Sequence, residues 1–244
     1  MSSTNDGYVA KASAPRRLAA AGVHLFTATG VLLAFAMVHF AYTGQVQVVL
    51  WLFLVAMVVD GVDGFLARRL RVAQVLPEMD GSLLDNVVDF LTFAFAPMVL
   101  LWTAGYLPSG AAGAAVVAIV LLASCYQFIR TDAKTEDHYF RGFPSYWNVA
   151  AFYVVVLDLS PAATTGILVG LAVLAFVPVC YLYPSRTRTL WRVTMIATTV
   201  WLGLYAVITA FYPDPPTWAL GASMIYLGYY AVLSVVMTFL RRRR

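Results

Sequence analysis

Eight apolar stretches separated by short polar or breaker-rich connections set the rhythm of this sequence. They run from Leu18 to Tyr42, Val46 to Ala67, Ser82 to Tyr106, Ala111 to Thr131, Tyr146 to Leu159, Thr164 to Tyr183, Leu190 to Tyr212 and Thr217 to Leu240. A bilayer core takes roughly 20 apolar residues per helical crossing, so each stretch but the short fifth predicts a spanning helix, and the fifth completes an even number. Gly44, Pro108, Gly110, Pro144, Pro161, Pro184, Pro213, Asp214, Pro215 and Pro216 fall between the stretches, where turn-forming residues belong. The expected architecture is an all-α, polytopic membrane helix bundle. Residues 1–17 form an N-terminal segment, 18–240 a single transmembrane domain and 241–244 a basic tail. No internal repeat or cleavable leader is expected.

Composition agrees with that pattern: 61% of the 244 residues are hydrophobic and 11% are charged, outside the range of an ordinary soluble domain. All sixteen Lys and Arg residues fall on one side of the eight-span arrangement: Lys11, Arg16 and Arg17; Arg68, Arg69 and Arg71; Arg130, Lys134 and Arg141; Arg186, Arg188 and Arg192; Arg241, Arg242, Arg243 and Arg244. The positive-inside rule therefore places both termini in the cytoplasm. The net charge of +4 belongs to juxtamembrane clusters that meet anionic lipid headgroups, and no nucleic-acid partner is expected. Cys125 and Cys180 read as small buried residues inside spans, with neither a disulfide nor a metal role.

Four carboxylates break the apolar pattern. Asp60 and Asp63 lie near the end of the second stretch, Asp85 and Asp89 near the start of the third. An ionised carboxylate in a spanning helix is costly and usually faces a bundle interior or wet cavity. At about 100° per residue, Asp60, Asp63, Gly64 and Ala67 share one stripe, and Gly81, Asp85 and Asp89 share another on the following helix. Four negative charges converging in a low dielectric would repel. Two divalent ions held by oxygen ligands alone, Mg²⁺ or Mn²⁺, would neutralise them and would support phosphoryl transfer. From the residues alone, two other readings stay open: ion pairing with Arg68, Arg69 and Arg71, or a proton or cation pathway in a transporter.

The string Asp60, Asp63, Gly64, Ala67, Arg68, Gly81, Asp85, Asp89 matches all eight fixed positions of the signature Asp-x2-Asp-Gly-x2-Ala-Arg, spacer, Gly-x3-Asp-x3-Asp. It resembles the CDP-alcohol phosphotransferases, with a spacer from Arg69 to Asp80 about one helical turn longer than most of that family carries. The longer spacer, "VHLFTATG" from Val23 and "DAKTEDHYFRGFPSYWN" from Asp132 resemble the bacterial phosphatidylcholine synthase branch. The resemblance implies transfer of a phosphatidyl group from CDP-diacylglycerol to choline with release of CMP, dependence on Mn²⁺ or Mg²⁺, a homodimer, and a site facing the cytoplasm from a bacterial inner membrane. Carried over, Asp60, Asp63, Asp85 and Asp89 hold the ions, Asp89 also acts as general base, and Gly64, Ala67, Arg68 and Gly81 shape the nucleotide site. Serine or glycerol 3-phosphate is the alternative acceptor.

Choline recognition calls for aromatic faces, because a quaternary ammonium donates no conventional hydrogen bond. The end of the fourth stretch, the connection after it and the start of the fifth supply Tyr126, Tyr139, Phe140, Phe143, Tyr146 and Trp147, with Asp132, Glu136 and Asp137 among them. Interface anchoring is the competing role for each ring. Arg130 is placed to bind a substrate phosphate or to reach lipid phosphates. His24 is expected as a hydrogen-bonded bundle residue, and Thr27 and Thr29 as partners of carbonyls in their own helix.

Overall fold

A computed structural model describes residues 12–135 and 137–242. Lys11, Glu136, Arg243, Arg244 and most of the 1–17 segment lie outside the described residues. Six helices are long and apolar enough to cross a membrane: α1 (Ala14–Tyr42), α2 (Val46–Arg69), the compound helix Gly81–Thr103, α6 (Ala111–Ile129), α9 (Trp191–Ala210) and α10 (Thr217–Arg242). The chain is an integral membrane protein. Exposed Leu25, Leu32, Phe35, Ile225 and Val232 on the outer helices are what a lipid solvent requires, since tails are as apolar as leucine.

Local chemistry explains the ends. Pro15 lies in the first turn of α1, where a missing N–H costs nothing. Arg68 and Arg69 close α2, favourable at the negative end of the helix dipole. A four-residue helix α3 (Val72–Val75) lies in the spacer after Arg71, which adopts a left-handed conformation. Asp80 caps α4 (Gly81–Asp89): its carboxylate accepts from the backbone N–H of Ser82 and of Leu83, each at 3.0 Å. A π-helical turn, Phe90–Phe95, joins α4 to α5 (Ala96–Thr103). Pro97, just beyond it, cannot donate a backbone hydrogen bond, and the widened turn absorbs the break.

The remaining two apolar stretches form shorter helices, α7 (Trp147–Val156) and α8 (Pro161–Phe176). Eight of the ten α7 residues are buried, so its all-round hydrophobicity reflects a position inside the bundle. It packs on α5 and the π turn, and α8 packs on α6. The expected helix from Thr164 to Tyr183 ends at Phe176, ahead of Pro178. Beyond it, β2 (Cys180–Leu182) pairs antiparallel with β1 (Tyr139–Arg141), Phe140 facing Tyr181 in register. That ribbon, docked on α10, departs from the all-α expectation.

The core joins α2, α5, α7 and α9. Phe152 stacks on Tyr205 with ring centroids 3.7 Å apart, and the Tyr205 hydroxyl donates to the Leu50 carbonyl at 3.3 Å. Helix α1 runs against α2, α4 and α5. Gly30 admits the Val88 side chain where α1 meets α4. The contact of α1 with α2 and α4 carries the aspartates.

Candidate active site

Asp60 and Asp63 stand three residues apart on α2, and Asp85 and Asp89 four apart on α4. Carboxylate oxygens of Asp60, Asp85 and Asp89 all come within 4.8 Å of one another. Asp63, 4% exposed, does not join that trio and sits near Thr27 of α1. Asp60, Asp63 and Asp89 also line a crevice of ≈ 10 Å³ with Gly30, Ala56, Val88 and Thr92, a volume close to one water molecule. An all-oxygen donor set of this kind suits hard divalent cations. Among the described residues the ion pairs are Arg17–Glu78, Arg130–Asp132, Arg141–Asp132 and Arg241–Asp137. None involves the four aspartates, so pairing with Arg68, Arg69 and Arg71 does not account for them.

Small residues on the two stripes have individual reasons. A Cβ on Gly64 would come 3.0 Å from the Arg68 Nη1 atom, so glycine lets that guanidinium fold back along α2. A Cβ on Gly81 would lie 2.7 Å from His24 Cε1 and 3.3 Å from His24 Nδ1: the imidazole occupies the space glycine leaves. His24 is 7% exposed and its Nε2 has no hydrogen-bond partner, which corrects the expectation of a hydrogen-bonded histidine. Ala67 packs beside the small apolar cluster of Ala20, Val23, Val72 and Leu76. Thr27 and Thr29 do bond their own helix, to the carbonyls of Val23 at 3.2 Å and Phe26 at 2.6 Å.

The expected choline-reading aromatics do not converge. Tyr126 stacks on Phe176 at 4.6 Å beneath the Arg130 guanidinium. Tyr139 is buried, shares a 2.9 Å hydrogen bond with Thr189 and carries Arg241 over its ring. Phe143 meets Trp147 edge-on at 4.9 Å. Trp147 is wholly buried, and its indole N–H donates to the Ser124 hydroxyl at 2.6 Å. Tyr146 stands at the N-cap of α7, where burial pushes its hydroxyl well up. Its ring meets the edge of Phe140 at 6.1 Å, and Phe140 stacks on Tyr183 at 4.6 Å. Burial and then the negative charge of Asp60 and Asp85 push the Tyr183 hydroxyl up to about 12.

Arg130 fills its planar fork internally: Nε and Nη2 donate to the two oxygens of Asp132 at 2.7 and 2.9 Å. Arg141 donates to the same carboxylate at 2.8 Å. Lys134, inside this loop, forms an isolated antiparallel bridge with Phe140. Tyr183, which the hydropathy pattern puts at the end of a span, instead joins the aromatic group around Phe140. Cys125 is exposed and Cys180 stands on β2 with Arg241 Nη1 3.1 Å from its sulfur, so neither is the buried span residue expected.

An integral membrane protein with an acidic centre at the ends of two helices is the class that this architecture defines. Sequence comparison narrows it: the profile described as CDP-alcohol phosphatidyltransferase matches residues 23–201. The chain belongs to the CDP-alcohol phosphatidyltransferase family. It is 41% identical over 197 residues to a phosphatidylcholine synthase of Legionella bozemanae, covering 78% of this chain and 90% of that one. It is 37% identical to the phosphatidylcholine synthase of Legionella pneumophila (89% and 88%) and 31% identical to that of Borreliella burgdorferi (91% and 95%).

Proposed function

We propose that this protein transfers the phosphatidyl group of CDP-diacylglycerol to choline and releases CMP, at the cytoplasmic face of a bacterial inner membrane. The observation that carries the reading is the convergence of Asp60, Asp85 and Asp89 within 4.8 Å, in a chain similar over most of its length to phosphatidylcholine synthases. Asp60, Asp63 and Asp85 would hold two Mn²⁺ or Mg²⁺ ions together with Asp89. When bound, such ions polarise phosphorus and stabilise the departing CMP oxygen.

The chain's own groups do the rest. Gly64, Ala67, Arg68 and Gly81 border the nucleotide, and Asp89 accepts the hydroxyl proton of choline as its oxygen attacks phosphorus. The new O–P bond forms while the P–O bond to CMP breaks. Tyr146, with Phe140 and Tyr183, presents ring faces to the quaternary ammonium. Tyr126, Tyr139, Phe143 and Trp147 support this group from the surrounding packing, and Arg130 braces the loop that covers it. The working unit is a homodimer crossing the membrane eight times per chain, with α7 and α8 added to the six long spans. Both termini are cytoplasmic, flanking a catalytic domain of residues 18–240, so acyl chains stay in lipid while nucleotide and choline enter from water.

The test is CMP release by purified protein supplied with CDP-diacylglycerol, Mn²⁺ and choline, serine or glycerol 3-phosphate, alongside Mn²⁺ binding by equilibrium titration. Release with choline alone is expected. Asp89→Asn should abolish release while keeping much of the Mn²⁺ affinity, whereas Asp60→Asn should weaken Mn²⁺ binding itself. Release with serine instead would replace the acceptor, and equal loss of Mn²⁺ affinity in both variants would remove the division of labour.

A further inference from the structure

A cavity of ≈ 580 Å³ opens where the start of β1, the connection from β2 to α9 and the last turns of α10 meet. None of the four aspartates and no other residue of the eight-position signature lines it, so it is separate from the acidic centre. Its polar wall is rich in hydrogen-bond donors. Tyr139 is 3% exposed, and its hydroxyl shares a 2.9 Å bond with the Thr189 hydroxyl. Two hydroxyls bring two protons to that contact and one lies between them, so the other is left to donate into the cavity. Arg188 is exposed there and forms no ion pair among the described residues. Asp137, the carboxylate of the lining, is already engaged: its Oδ1 accepts from Arg241 Nη2 at 2.7 Å and from the Thr135 hydroxyl at 2.8 Å. Arg241 is held further by the Tyr139 ring beneath its guanidinium. Two guanidinium charges against one carboxylate leave one positive charge on the lining.

The opposite wall is apolar. Met237 and Leu240 stand three residues apart on α10 and face the cavity. Leu240 is 51% exposed and Phe239 beside it 61%, so this wall runs on into the lipid-facing surface of a spanning helix. A ligand that fits has an anionic group carrying several acceptor oxygens at one end and hydrocarbon at the other. A phospholipid has that form, and its phosphodiester carries the single negative charge that the lining lacks. Arg186 and Arg192 flank Arg188 in sequence, an arrangement that disfavours a cationic headgroup and favours an anionic one.

We infer that this cavity binds the phosphodiester of an anionic phospholipid, with Arg188 and the Tyr139–Thr189 hydroxyl pair donating to its non-bridging oxygens and its acyl chains lying along Met237 and Leu240. Arginine suits the contact because its planar fork matches two phosphate oxygens at once. The bound lipid joins the ribbon, the α9 entry and the end of α10, three elements far apart in the chain. The inference does not depend on the phosphatidyl-transfer reading.

The test is native mass spectrometry of the delipidated full-length protein in detergent, titrated with phosphatidylglycerol, phosphatidylcholine or glycerophosphoglycerol, the last being the same phosphodiester without acyl chains. Phosphatidylglycerol should bind about five-fold more tightly than phosphatidylcholine. Glycerophosphoglycerol, with nothing to cover the apolar wall, should bind at least about ten-fold more weakly than phosphatidylglycerol. Arg188→Gln should weaken phosphatidylglycerol binding about ten-fold and Thr189→Val about three-fold, as loss of a charged and of a neutral hydrogen bond predicts. Arg192→Gln removes a charge of the same region from outside the cavity and should change binding by less than about three-fold at about 0.15 M salt. The unfolding midpoint of Arg188→Gln in lipid-free detergent should match the wild type, which separates lost contact from lost fold. Unchanged affinity in both Arg188→Gln and Thr189→Val would overturn the site. Equal losses in Arg188→Gln and Arg192→Gln would replace it with diffuse attraction to a charged surface. Glycerophosphoglycerol binding as tightly as the lipid would replace the lipid with a water-soluble phosphodiester, and equal binding of phosphatidylcholine would remove the anionic preference.

Discussion

Gly81→Ala tests the packing that sets α4, and with it two aspartates, against α1. The added methyl would sit 2.7 Å from His24 Cε1 and 3.3 Å from Nδ1, the first distance too short for the ring to keep its place. His24 is 7% exposed on α1, so relief requires rotating a buried imidazole or separating the helices. Overpacking of this kind costs about 1–3 kcal/mol. Against it stands the helix propensity gained on replacing glycine, up to ~1 kcal/mol in a helix interior and less in the first turn, directly after Asp80. The overlap wins, with a net destabilisation of about 1–2 kcal/mol. The assay is a double-mutant cycle of Gly81→Ala, His24→Ala and both together, by reversible unfolding in detergent. Removing the imidazole empties the space the methyl needs, so the double variant should be more stable than the sum of the singles by at least ~1 kcal/mol. Wild-type stability in Gly81→Ala, or additivity within about 0.5 kcal/mol, would refute the steric account.

Two further outcomes follow from contacts around the site. Ser124→Ala strands the buried Trp147 indole N–H and should cost about 1–3 kcal/mol, while Trp147→Ala should cost about 3–5 kcal/mol through the void it leaves. Unfolding measurements check both, and a choline Michaelis constant unchanged in Ser124→Ala would assign Trp147 to packing. Asp132 is held down to about 2, first by its hydrogen bond from Arg130 and then by the charges of Arg130 and Arg141. A lowered folded-state value stabilises the loop above the ordinary value of 3.8, and that contribution fades as pH falls toward about 2. Pepsin cleavage within 130–141 should therefore accelerate over that window in the wild-type protein and be fast throughout it in Asp132→Asn. A pH-independent difference between the two proteins would disprove the ionic clamp.

The aspartate pattern was legible because helical spacing alone turns Asp60 and Asp63, or Asp85 and Asp89, to one face, and a charge in an apolar stretch needs a partner on another. Which three carboxylates meet was not legible, since it depends on the rotation of α4 against α2. For the aromatics the sequence leaves two roles unseparated, since rings crowd a membrane interface for anchoring and for packing alike: Trp147 lies in the core, Tyr139 partners Thr189, and Tyr126 is a platform for Arg130. Lys134 and Tyr183 meet at Phe140, which bridges Lys134, stacks on Tyr183 and pairs across the ribbon with Tyr181. Pairings that join residues about forty apart leave no periodicity in the chain. The fifth stretch showed the limit of hydropathy, which reports burial in lipid and burial in protein with the same signal.

The π turn at Phe90–Phe95 resolves a conflict that those periodicities create. Asp85 and Asp89 must face α2, while Phe93, Ala94 and Ala96 must face the core. A π turn accommodates one extra residue, which resets the face that follows it by about 100°. The carboxylate end and the membrane half of this one helix are thereby packed in different phases. The Thr92 hydroxyl donates to the Val88 carbonyl at 3.0 Å, supplying a bond where the backbone ladder loosens. The turn begins immediately after Asp89, so the last carboxylate of the signature marks where the helix stops serving the polar centre and starts serving the bundle.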